Sequence, residues 1–143
     1  MPNAGAKYSS EYLTRESLAS SLRSVHSVIQ AIFGECTFTA YYGCASNIHG
    51  DLQYKPMRVG SDVIQWFIED SIVQRIVIPG ESDLLLYSPQ EELKLIFCHE
   101  SDIHVDGSSA ECMQQFMASP PFCSFRWYSQ AELEARMQRD PKC

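Results

Sequence analysis

Leu18, Leu22, Val25, Ile29 and Ile32 follow one another at intervals of four, three, four and three. That period confines them to one stripe of an α-helix, so the chain has to build an apolar layer that closes against it. Thr14 can cap the start of this helix, and Gly34 can end it in the left-handed conformation. Ser20, Arg23, Ser24, Ser27 and Gln30 fall on the opposite side and face water, with His26 at the boundary.

The rest of the chain supplies the opposing layer. Thr37 to Tyr42 is β-branched, aromatic or small and reads as a strand. Leu52 to Lys55 reads as a short strand before Pro56, with Asn47 to Asp51 as its turn. Ser61 and Asp62 can start a second helix with Ile64, Phe67, Ile68 and Ile72 on one face, and the β-branched run Ile72 to Ile78 reads as a strand ending at Pro79-Gly80. Leu84 to Tyr87 and Leu93 to Cys98 flank the turn residues Ser88 to Glu92, which is a hairpin pattern. Both arms are apolar on both faces apart from Lys94, as expected of central strands covered on each side. Ile103 to Val105 and Phe122 to Tyr128 add two further strands. Capping boxes at Ser108–Glu111 and Ser129–Glu132 open two short helices, the first with Met113 and Met117 and the last with Leu133 and Met137 on an apolar edge. The expected class is α+β, a mostly antiparallel sheet with a long N-terminal helix and several short helices packed against it. One domain over 143 residues is expected, with residues 1 to about 10 as a frayed terminus.

Charge narrows the function. The chain carries −7 overall, which argues against a nucleic-acid partner and against an anionic membrane surface. Nine acids between Glu69 and Asp106 face only Arg75 and Lys94, so that segment alone carries −7. No apolar run approaches the roughly 20 residues that span a bilayer. No export signal opens the chain, and its six cysteines form no CxxC pair, so free thiols and a cytoplasmic location are expected.

The densest constellation of reactive side chains is His99-Glu100-Ser101-Asp102-Ile103-His104-Val105-Asp106. In an extended segment Glu100, Asp102, His104 and Asp106 would project to one side, a geometry that could gather ligands for a divalent ion or an acid and a base. The run matches neither HExxH nor a calcium loop, so an exposed turn or partner-contact surface is the expected reading, with no metal and no cofactor. Cys98 precedes His99, but neighbours on a strand point to opposite faces and would not pair. No GxSxG elbow or phosphate loop is present. Trp66 lies off the centre of its helix's apolar face and is a candidate partner anchor.

The acidic stretch Glu69–Asp106, the Leu84–Cys98 hairpin and the motif-free remainder give the chain a character that resembles the small immunity proteins of bacterial polymorphic-toxin and contact-dependent competition systems. The resemblance implies a non-catalytic protein that binds a cognate toxin domain and occludes it. The contact residues expected on this reading are Trp66, Glu81, Asp83, Glu91, Glu92, Glu100, Asp102, His104 and Asp106. A metal-dependent enzyme built on His99–Asp106 and a protein-interaction adaptor are the alternatives.

Overall fold

The computed structural model describes the backbone of residues 7–139 and the side chains up to residue 135. Residues 1–6, the Met137 side chain and Cys143 lie outside it. Seven strands form an antiparallel sheet: β1 (Tyr8–Ser10), β2 (Thr37–Tyr42), β3 (Met57–Gly60), β4 (Leu84–Tyr87), β5 (Lys94–Phe97), β6 (Ile103–Asp106) and β7 (Trp127–Ser129). The order across the sheet is β3-β2-β4-β5-β6-β1-β7. Among the described residues four helices accompany it: α1 (Arg15–Phe33), α2 (Ile64–Val73), α3 (Ala110–Met117) and α4 (Gln130–Arg139). The class is therefore α+β, as the sequence predicts.

Local chemistry explains the elements that match expectation. The Thr14 hydroxyl accepts the Ser17 N–H at 3.1 Å, and the Gly34 N–H closes α1 on the Gln30 carbonyl. Leu18, Leu22, Val25 and Ile29 are buried. Ser129 and Glu132 bond reciprocally, the hydroxyl taking the Glu132 N–H and the carboxylate taking the Ser129 N–H, which is the capping box at the start of α4.

Several elements differ, each for a physical reason. The first described element is a strand, so residues 8–10 of the expected frayed terminus are ordered in the sheet, and residues 1–6 of that expectation lie outside the described residues. β1 lies between β6 and β7, and the Ser10 hydroxyl accepts the Ile103 N–H. No strand forms at 52–55. Gly50–Leu52 is a 3-10 turn, Tyr54 adopts φ +59°, and pairing begins after Pro56. Ser61 accepts the Cys36 N–H and does not cap α2, whose N-cap is Val63. Nor do residues 72–78 pair. The helix runs to Val73, Arg75 turns at φ +59°, and the N–H groups of Ile76 and Val77 both go to the Ser71 carbonyl. A β-branched run thus satisfies its backbone in a helix-terminal loop rather than a ladder. The cap of α3 is Ser109, one residue past the expected Ser108. Phe122–Ser124 is a 3-10 turn, leaving Trp127–Ser129 as the strand.

Strand register assigns the two faces of the sheet. Phe38, Ala40, Tyr42, Leu84, Leu86, Leu95, Phe97, Ile103 and Val105 point to the side where α1, α2 and α3 pack, and with the buried helix residues they form one core. Tyr42 stacks on Phe67 of α2 at 5.7 Å, and its hydroxyl is 2.5 Å from the Ser71 hydroxyl. The other face presents Thr39, Tyr41, Leu85, Tyr87, Lys94, Ile96, His104 and Asp106, none of which joins that core. β4 and β5 are central in the order, and α1, α2 and α3 cover one of their two faces. Leu85 is buried by its neighbours, whereas Tyr41, Tyr87, Ile96 and His104 remain half-buried.

Candidate functional site

The open face carries two polar centres, at opposite ends of β4 and β5. The first forms where three chain segments meet. The register Leu84↔Phe97 brings Asp83, just before β4, beside the end of β5. The register Phe97↔Ile103 folds residues 98–102 into a turn, in which the Cys98 N–H bonds to the Asp102 carbonyl at 2.9 Å and Ser101 adopts φ +69°. Phe97 and Ile103 face the core, so Cys98 and Asp102 belong to the open side with Ile96 and His104.

Two histidine–carboxylate pairs result. Asp83 Oδ1 accepts the His99 N–H at 2.6 Å and lies 2.7 Å from His99 Nδ1. His104 Nε2 lies 3.2 Å from Asp102 Oδ1, and its Nδ1 is 2.7 Å from the hydroxyl of Ser9 on the neighbouring strand. The Asp83 carboxylate raises the His99 pKa above the usual imidazole value, and the Asp102 carboxylate does the same for His104, in each case against the lowering effect of burial. Between the pairs, burial pushes the Cys98 thiol up to about 12.

These positions revise the sequence-based geometry. Of Glu100, Asp102, His104 and Asp106, the last three share the open face and Glu100 does not. Glu100 is exposed in the turn, Asp102 is buried, and only His104 and Asp106 lie on β6. Cys98 and His99 do approach, with Sγ 3.8 Å from Nδ1, because they sit in a turn and not in the strand. With its pKa near 12 the thiol stays protonated and is a poor nucleophile at neutral pH. Ser9, His104 and Asp102 form a hydroxyl–imidazole–carboxylate line, but Ser9 is 4% exposed inside the sheet and cannot reach a substrate.

The second centre lies at the other end. Thr37, Thr39, Tyr41, Arg58 and Tyr87 line a shallow cleft of about 560 Å³ with the turn Ser88–Glu91. The Tyr41 and Tyr87 rings are 5.1 Å apart, and the Lys94 ammonium sits 5.4 Å over Tyr87. Sequence reading passed over this cleft, since its members come from strands far apart in the chain. The signal available was the polar-aromatic alternation Thr37, Thr39, Tyr41.

The acidic segment is divided. Asp83, Glu100 and Asp102 belong to the first centre, with Glu81 nearby in an exposed ion pair to Arg15. Glu91 and Glu92 sit in the β4–β5 turn, with Asp106 on the adjacent strand end and 4.0 Å from Lys7. About four residues of strand, roughly 13 Å, separate the ends. Trp66 is 68% exposed, but on α2 in the helical layer. No described helix is long and apolar enough to cross a membrane, and the five described cysteines are free. Comparison with protein-family models, curated proteins and solved structures finds no match to this chain.

Proposed function

We propose that this protein is a non-catalytic inhibitor of the immunity type, which binds a cognate bacterial toxin domain in the cytoplasm and covers its cleft. The observation that carries the reading is the sheet face opposite α1, α2 and α3, with the Tyr41–Tyr87 pair toward one end and carboxylates at both ends. Aromatic residues bordered by charge are common in protein interfaces. Occlusion needs no nucleophile, and the two nearest candidates are a buried serine and a thiol held protonated. The net charge of −7 favours a partner with a basic cleft and speeds encounter with it. Glu91, Glu100, Asp102, His104 and Asp106 border this face, while Trp66 lies off it.

The test is co-expression with the product of the adjacent gene in a sensitive host. That product is expected to be lethal alone and harmless beside this protein. A product that is harmless alone, or still lethal in the pair, rejects the reading.

A further inference from the structure

We propose that Cys98, Asp102 and His104 form a binding site for a single divalent transition-metal ion of the zinc class, with Ser9 holding His104 in the liganding orientation. The assignment is independent of the inhibitor reading.

Hairpin pairing sets the Cys98 thiol opposite Asp102, and the two-residue step along β6 puts His104 on the same side. One ligand atom from each of the three lies within 4.8 Å of the other two. The Asp102 Oδ1 to His104 Nε2 distance of 3.2 Å is close to the tetrahedral edge of about 3.3–3.8 Å expected around zinc with nitrogen, oxygen and sulfur ligands.

An independent observation points into the same space. Asp102 is 8% exposed, and its buried Oδ1 makes no well-formed hydrogen bond, only the ion-pair contact to His104 Nε2 at 3.2 Å. A buried carboxylate oxygen without a well-formed hydrogen bond is costly, and a cation satisfies it. The surroundings supply what a liganding histidine needs. Ser9 Oγ lies 2.7 Å from His104 Nδ1, and in the tautomer that donates Nδ1–H to it the Nε2 lone pair is available to the metal. Ser9 is itself 4% exposed and fixed between β6 and β7, so the imidazole is oriented by a rigid partner.

Cys98 binds as thiolate. Its proton passes to solvent as the metal–sulfur bond forms, so affinity falls as pH is lowered. A thiolate, an imidazole and one carboxylate suit zinc or cobalt(II) better than magnesium or calcium, which take oxygen ligands. The fourth position opens on the side of His104, whose side chain is 36% exposed. Water or a ligand from a bound protein can fill it. The neighbouring triplet Cys44, Asp83 and His99 satisfies the same distance criterion, but Asp83 Oδ1 is already engaged by two donors of His99.

The experiment is titration of the full chain, reduced and stripped of metal, with cobalt(II) and then zinc. One equivalent of cobalt is expected to give tetrahedral visible bands and a thiolate charge-transfer band in the near ultraviolet, both bleached by zinc. Cys98→Ser should abolish the charge-transfer band. Ser9→Ala should weaken zinc binding about 10- to 100-fold, as expected for loss of the group orienting a ligand. Cys44→Ser and His99→Ala should leave the spectrum unchanged. Circular dichroism of each metal-free variant separates loss of ligand from loss of fold, and the wild-type spectrum stands apart from both. Absence of a stoichiometric cobalt spectrum in wild type overturns the proposal. So does a spectrum that survives Cys98→Ser and disappears with Cys44→Ser, which would move the site to the other triplet.

Discussion

The two faces of the sheet are made by alternate residues of the same strands, yet they are different materials. Leu86 and Leu95 are fully buried under α1–α3, while one residue along each strand Tyr87 and Ile96 are half-buried on the other side. The helical face joins one cluster of buried, mostly apolar side chains. The open face mixes tyrosine, isoleucine, lysine, histidine and carboxylates. The contrast teaches that the hydrophobic run in the β4–β5 hairpin has two separate purposes. One half of its side chains holds the fold together, and the other half builds a surface.

The sharpest way to break this contrast is to truncate one residue on each side. Leu86→Ala removes a fully buried side chain and is expected to cost about 2–5 kcal/mol in denaturant unfolding. Ile96→Ala on the open face is expected to cost about 1 kcal/mol, since its side chain is only partly buried. Equal losses would mean that the open face is as tightly packed as the core.

A smaller effect distinguishes the two histidine pairs from the tyrosine cleft. Both histidines have folded-state pKa values raised above the unfolded value by Asp83 and Asp102. Raised values mean that the native state binds protons more tightly. The resulting stabilisation is complete below the unfolded pKa of about 6.5 and is lost as pH rises through the folded values. In buffer containing a chelator, Tm is expected to fall from pH 6 to pH 8.5 more steeply for wild type than for His99→Ala/His104→Ala. Parallel slopes would show that neither carboxylate pairs with its histidine in solution.

The legible part of the structure was the part written in local chemistry. The α1 stripe, its Thr14 cap, the β4–β5 hairpin and the Ser129 capping box all follow from residues close in sequence. What was hidden depends on distant partners. Tyr8-Ser9-Ser10 has no strand pattern of its own and becomes a strand because β6 and β7 supply its hydrogen bonds. Ile76 and Val77 carry strand propensity, but the end of α2 captures their N–H groups first. At the candidate site, the crowding of His99 to Asp106 was visible in sequence. The partners that give those residues meaning, Ser9 and Asp83, come from other strands. Treating the segment as uniformly extended also misplaced Glu100 and separated Cys98 from His99, because the turn at Ser101 reverses the chain there.

On the proposed function the open face, and not the helical layer, contacts the partner. Calorimetric titration of the toxin domain identified by co-expression tests this most directly, using Tyr41→Ala/Tyr87→Ala and Trp66→Ala variants whose Tm values match wild type. The tyrosine pair is expected to behave as a hot spot, its removal weakening binding by about 30-fold or more, which corresponds to roughly 2 kcal/mol. Trp66→Ala should change affinity by no more than a few-fold. Wild-type affinity in the tyrosine variant, together with loss of binding in Trp66→Ala, would contradict the account and assign recognition to α2.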